Sequence, residues 1–108
     1  MINFDHDREC KLFYDWAVKY ADEDSTHSYL DSMTKTMYAQ AYMRAEGDTV
    51  KEKEMKAYLD EEYVNHLQGV GQARKLRNEA LAARNAQERK LEWARSVLSY
   101  KKKEMELI

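Results

Sequence analysis

Apolar residues recur three or four positions apart along most of the chain, the period of helices rather than of strands. Phe13, Ala17 and Tyr20 follow Cys10 at this spacing. They predict a first helix from about Asp7 to Ala21, capped by Asp5 or Asp7. The polar run Asp22-Glu23-Asp24-Ser25-Thr26 breaks the pattern and reads as a loop. Leu30, Met33, Met37 and Ala41 predict a second helix from about His27 to Glu46, with Tyr38 and Tyr42 beside the stripe. Ser25 or Thr26 is its expected N-cap, and Gly47 is its expected left-handed stop. Thr49-Val50-Lys51-Glu52 has the form of a capping box, in which the Thr hydroxyl takes the Glu52 amide and the Glu carboxylate reaches back to the Thr amide. A third helix then runs from Val50 to about Leu107 without a proline, ~87 Å long at ~1.5 Å per residue. Gly69 and Gly71 are its weak points and predict either a kink or a hinge that folds the segment into a hairpin.

Two heptad columns fit this third segment. One holds Tyr63, Val70, Arg77, Arg84, Leu91, Leu98 and Met105; the other holds His66, Ala73, Ala80, Gln87, Ala94, Lys101 and Ile108. Both are apolar towards the ends and polar in the middle, which a strict two-stranded zipper would avoid. Leu76, Ala80, Leu81 and Ala83 form a neighbouring apolar patch. Two short helices of about 15–20 residues cover at most ~30 Å each, so the long helix requires solvent or a second copy. A homo-oligomer meeting through Tyr63, Val70, Leu91, Ala94 and Leu98 is the expectation. The fold class expected is therefore all-α: two short N-terminal helices, then a long helix packing as a helical hairpin or coiled-coil-like oligomer. Residues 1–108 form one domain in this reading, with a two-helix part over 1–47 and the long helix over 49–108.

Composition narrows the class further. Three glycines and no prolines leave too little turn chemistry for a sandwich or barrel. No Gly-rich phosphate loop is present. With 44% apolar residues the chain is not disordered by composition. One cysteine, Cys10, excludes an intramolecular disulfide and fits a reducing compartment; on a helix it reads as a small buried side chain. No 18-residue apolar run exists, and the acidic start resembles neither a signal nor a transit peptide. A soluble, cytoplasmic protein with no membrane partner is expected.

Charge is what changes the picture most. The net −2 hides a split: residues 1–72 carry 8 basic and 15 acidic groups, and residues 73–103 carry 10 basic and 3 acidic ones. The basic set is Arg74, Lys75, Arg77, Arg84, Arg89, Lys90, Arg95, Lys101, Lys102 and Lys103. Two readings compete for it. The basic stretch can pair with the acidic N-terminal part, within the chain or between copies. It can instead follow a nucleic-acid backbone, with Trp93 and Tyr100 two turns apart to stack on bases.

No catalytic or metal constellation emerges. His6, His27 and His66 lie in separate segments, and Glu62 with His66 does not form the repeated Glu-x-x-His of di-iron bundles. Ser and Thr at 25–36 lack a nucleophile-elbow context. Glu61 and Glu62 read as exposed-face residues, and Met33, Met37, Met43 and Met55 as core. No cofactor, metal, small-molecule substrate or enzymatic activity is expected.

The run Ala39-Gln40-Ala41-Tyr42-Met43-Arg44-Ala45-Glu46-Gly47, then Thr49-Val50, then a long helix closing on Lys90-Leu91-Glu92-Trp93-Ala94-Arg95-Ser96-Val97-Leu98-Ser99 and Glu104, resembles small helical proteins of tailed phages encoded beside single-strand annealing and recombination genes. The layout over residues 38–105 is similar to UvsY-type phage recombination mediators. That resemblance implies an oligomeric helical factor that helps load a recombinase on single-stranded DNA. It carries no residue-by-residue correspondence. The leading expectation is a phage or prophage accessory factor in DNA recombination or replication. It would contact single-stranded DNA, or a DNA-bound recombinase, through the basic 74–103 stretch. The alternative is an inhibitor or adaptor of a host or phage protein that works through the acidic N-terminal part.

Overall fold

Helix formers and helical apolar spacing dominate nearly every window, and the computed structural model, which describes residues 4–106, is all-helical over them with no strand. The helices are α1 (His6–Ser32), α2 (Thr34–Arg44), α3 (Val50–Tyr58) and α4 (Glu61–Glu106). The expected helix end at Leu107 and the column member Ile108 lie outside the described residues. No described helix is long and apolar enough to cross a membrane.

The helix boundaries differ from expectation in three places, each for a local reason. First, no loop separates two short N-terminal helices. α1 continues through Asp22–Thr26, and the first interruption is at Met33, one residue in which Met33 N–H donates to Leu30 O at 3.1 Å. Positions Glu9, Phe13, Trp16, Tyr20, Glu23, His27, Leu30, Thr34, Met37 and Ala41 alternate by three and four, and every one is buried or half-buried. Glu23 and His27 keep this seam in step where the weak helix formers Asp24, Ser25 and Thr26 sit, so burial overrides local propensity. At 27 residues α1 is thus longer than the 15–20 residues that argued for a second copy, while α2, at 11, is shorter.

Second, the long helix breaks at Leu59–Asp60 and not at the glycines. Asp60 caps α4: its Oδ1 accepts from Tyr63 N–H at 3.0 Å, and Glu61 and Glu62 occupy the positive first turn. Gly69 and Gly71 lie inside α4 with no positive φ, and a Cβ built on either meets nothing within 4 Å. Gly69→Ala and Gly71→Ala are therefore expected to stabilise by about 0.5–1 kcal/mol each. Thermal melting checks this, and a double variant that melts below the parent would contradict it.

Third, Gly47 is no left-handed stop. α2 ends in an extended Ala45 (φ −72°, ψ 134°), and no glycine has positive φ. Glycine is needed at 47 for closeness instead, because a Cβ there would lie 3.0 Å from Glu52 Cβ. The capping box forms in a shifted version. Thr49 Oγ1 accepts from Glu52 N–H at 3.1 Å, while Glu52 Oε2 accepts from Asp48 N–H, not from Thr49.

The chain divides into two compact units, Met1–Ala21 with Asn78–Ile108, and Asp22–Arg77. In the second unit Ala41, Ala57 and Tyr63 form a core flanked by Met37, Tyr38 and Tyr42. The alanines let α2 and α3 approach closely, and the gap is filled by three tyrosine rings. Tyr38 stands 5.1 Å from Tyr58 and 5.5 Å from Tyr63, centroid to centroid. Burial, with the Tyr58 phenol beside it, pushes the Tyr38 phenol above its usual pKa. Arg44 from the end of α2 grips Asp60 with two hydrogen bonds, of 3.2 and 2.8 Å, and reaches Glu62 at 3.3 Å. This fork ties the α2 end to the start of α4.

Candidate nucleic-acid interface

The two heptad columns of α4 are its inward face. From Tyr63 to Ala94 every member is buried or half-buried, including Arg77, Arg84 and Gln87. The polar members there meet polar or aromatic groups, although Arg77 Nε and Arg84 Nε are buried without a hydrogen-bond partner among the described residues. In the unit formed by Met1–Ala21 and Asn78–Ile108, Glu9 is only 4% exposed. Gln87 Nε2 donates to its carboxylate at 2.6 Å and to its backbone oxygen at 2.9 Å, and Lys90 Nζ donates at 3.0 Å. Arg84 lies over the Tyr20 ring at 5.4 Å. In the other unit Arg77 Nη1 donates to His27 Nδ1 at 3.5 Å and its Nε lies 3.6 Å from Asp24. There too, Thr34 Oγ1 and His66 Nε2 share a hydrogen bond of 3.0 Å.

Arg77, Arg84 and Lys90 are therefore engaged inside the chain. Of these, Arg77 with Asp24 and Lys90 with Glu9 pair a basic residue of the stretch with an N-terminal acid, while Arg84 meets an aromatic ring. Arg74, Lys75, Arg89, Arg95, Lys101, Lys102 and Lys103 are exposed, with no ion pair recorded for them among the described residues. The expected interface residues divide likewise. Tyr63, Val70 and Ala94 are already buried in the single chain, Leu91 is half-buried, and Leu98 is exposed.

Opposite the seam, α4 carries a different face. Arg89, Trp93, Ser96, Tyr100 and Lys103 succeed one another at steps of three and four, and all five are exposed. Trp93 is 55% and Tyr100 65% exposed, so neither ring is consumed by packing. The two rings stand seven residues apart, ~10.5 Å along the axis. Arg89 precedes them and Lys103 follows them on this face, while Lys101 and Lys102 turn towards its sides. Such a stripe offers flat apolar faces and mobile positive charges together. Among the described residues no three His, Cys, Asp or Glu side chains are grouped so as to hold a metal ion.

What the sequence did not single out is the set of polar inward partners, Glu9, His27 and Thr34; Tyr20 was already on the apolar stripe of the first helix. Their signal was the three-four alternation through α1 and α2, visible only when polar residues are admitted to the seam.

Carboxylate partners make stability acid-sensitive. The Gln87 amide, then Lys90, holds the Glu9 carboxyl below its usual range; the Arg44 fork, then the Tyr63 N–H, does the same for Asp60. A lowered folded pKa contributes stability above the unfolded value of about 4, and that stability is lost as pH falls through the folded value. Melting temperature is expected to fall between about pH 5 and pH 3, and to fall less steeply in Glu9→Gln. An identical slope in the variant would contradict the role of Glu9.

No family model, curated protein or solved structure matches the chain.

Proposed function

We propose that the chain is a non-enzymatic accessory factor that binds single-stranded nucleic acid along the outer face of α4, serving recombination or replication in a phage or prophage. The observation that carries the binding is the exposed Arg89–Trp93–Tyr100–Lys103 stripe. Single-strand binders combine a cationic track for the backbone with aromatic faces on which bases stack. Both are present here on one helix face, and the exposed Arg74, Lys75, Arg95, Lys101 and Lys102 add charge elsewhere along α4. The stretch also holds Glu79, Glu88 and Glu92, and Glu92, three residues from Arg89 and four from Ser96, borders the stripe. The setting in recombination rests on the resemblance to phage mediators.

Fluorescence anisotropy with a labelled single-stranded oligonucleotide across a salt series tests the reading. Contacts from Arg89, Lys101, Lys102 and Lys103 predict a log–log salt slope of roughly −3, at about −0.7 per phosphate contact. Absence of binding at the lowest salt ends it.

A further inference from the structure

At the end of the unit formed by Met1–Ala21 and Asn78–Ile108, an open groove of about 300 Å³ lies between the start of α1 and the last turns of α4. Its floor is apolar, from Phe4, Leu91, Ala94 and Leu98. Its rim carries Arg95 and Lys102, two turns apart on α4, and among the described residues no carboxylate lines it. The Phe4 and His6 rings stand at one wall with centroids 6.3 Å apart, tilted by 50°. The volume falls at the lower bound of small-molecule sites, ~300–1,000 Å³.

We infer that this groove takes one nucleotide, its base on the apolar floor against Phe4 and its phosphate between Arg95 and Lys102. The chemistry asks for a flat, weakly polar body joined to an anion, because apolar floor and uncompensated cationic rim adjoin. A nucleotide has that form. Ser99 at the edge supplies a hydroxyl for a base edge or sugar. The inference rests on the single-strand reading and deepens it. The outer stripe stacks bases without sorting them, and the groove, which lies around the side of α4 beyond Ser99, would hold one base where the strand wraps across that helix.

Cys10, the chain's one cysteine, lines the groove half-buried, with its Sγ 3.5 Å from His6 Nε2. It reports occupancy through its alkylation rate by iodoacetamide in the intact protein. With oligothymidylate at ten times its dissociation constant, alkylation should slow about tenfold. An abasic strand of the same length, brought to equal occupancy, should leave the rate within about twofold, since it offers phosphates without bases. Leu98→Glu sets a carboxylate at the groove on an exposed position. It should remove the protection while anisotropy still reports the strand on α4. Free thymidine monophosphate protecting as well as the strand would support the groove and assign it to free nucleotides. A bound strand with an unchanged alkylation rate, or an abasic strand that protects equally, overturns the groove and leaves the single-strand reading standing. No strand binding by anisotropy overturns both.

Discussion

Tyr63→Ala is expected to cost about 3–5 kcal/mol of folding stability, the range for deleting a buried aromatic ring. Tyr63 is 7% exposed and touches two other rings, Tyr38 and Tyr58. Removing it opens a cavity between α2, α3 and α4, lined by rings that cannot collapse far because Ala41 and Ala57 already hold the backbones together. The melting temperature should fall by roughly 12–40 °C, at about 4–8 °C per kcal/mol for a domain near this size. Tyr63→Phe keeps the ring and should stay within about 1.5 kcal/mol of the parent. A Tyr63→Ala protein that melts with the parent would show that the tyrosine cluster does not hold the second unit together.

The double substitution Trp93→Ala/Tyr100→Ala should leave the melting temperature almost unmoved, because both rings are exposed and contribute within about ±0.5 kcal/mol. Its effect belongs to binding. Base stacking on an aromatic side chain is worth about 1–3 kcal/mol per base, so the pair should lose affinity for a single strand by at least about thirtyfold. The salt slope should stay as it was, since no cation has gone. Lys101→Ala/Lys102→Ala/Lys103→Ala should do the reverse, flattening the slope by roughly 2. If the aromatic pair is lost without consequence for affinity, the strand does not lie on this face.

Much of the fold was written in local signals. The Thr49 cap is a two-residue device, and its chemistry is complete in Thr49 and Glu52, apart from the amide that Glu52 chose. The inward face of α4 showed itself as two columns, polar members included. Asp60 was harder to see. A carboxylate before two glutamates looks like solvated helix surface until Arg44, from another helix, is placed against it. The continuity of α1 was hidden for a related reason. Asp24, Ser25 and Thr26 are poor helix formers, and their retention depends on His27 and Glu23 being covered, a tertiary fact. At the candidate interface, Trp93 and Tyr100 were legible as a seven-residue pair. The ten basic residues were not separable by sequence, because what distinguishes Arg77, Arg84 and Lys90 is Asp24, Tyr20 and Glu9, which lie far away along the chain.

The pairing of Glu9 with Gln87 and Lys90 has a consequence for how the helices find one another. Suppose α4 slips by one heptad along α1. Glu9 then faces Ala80 and Ala83, or Ala94 and Val97, and its buried carboxylate has no donor. An unpaired buried polar group costs about 1–3 kcal/mol, and a charged one more. Within the other unit, a heptad shift of α4 against α2 puts Thr34 opposite Ala73 in place of His66. Apolar seams alone are nearly indifferent to such shifts, since one alanine fits much as the next. The scattered polar contacts act as addresses: they add little to the depth of the folded state and much to its uniqueness.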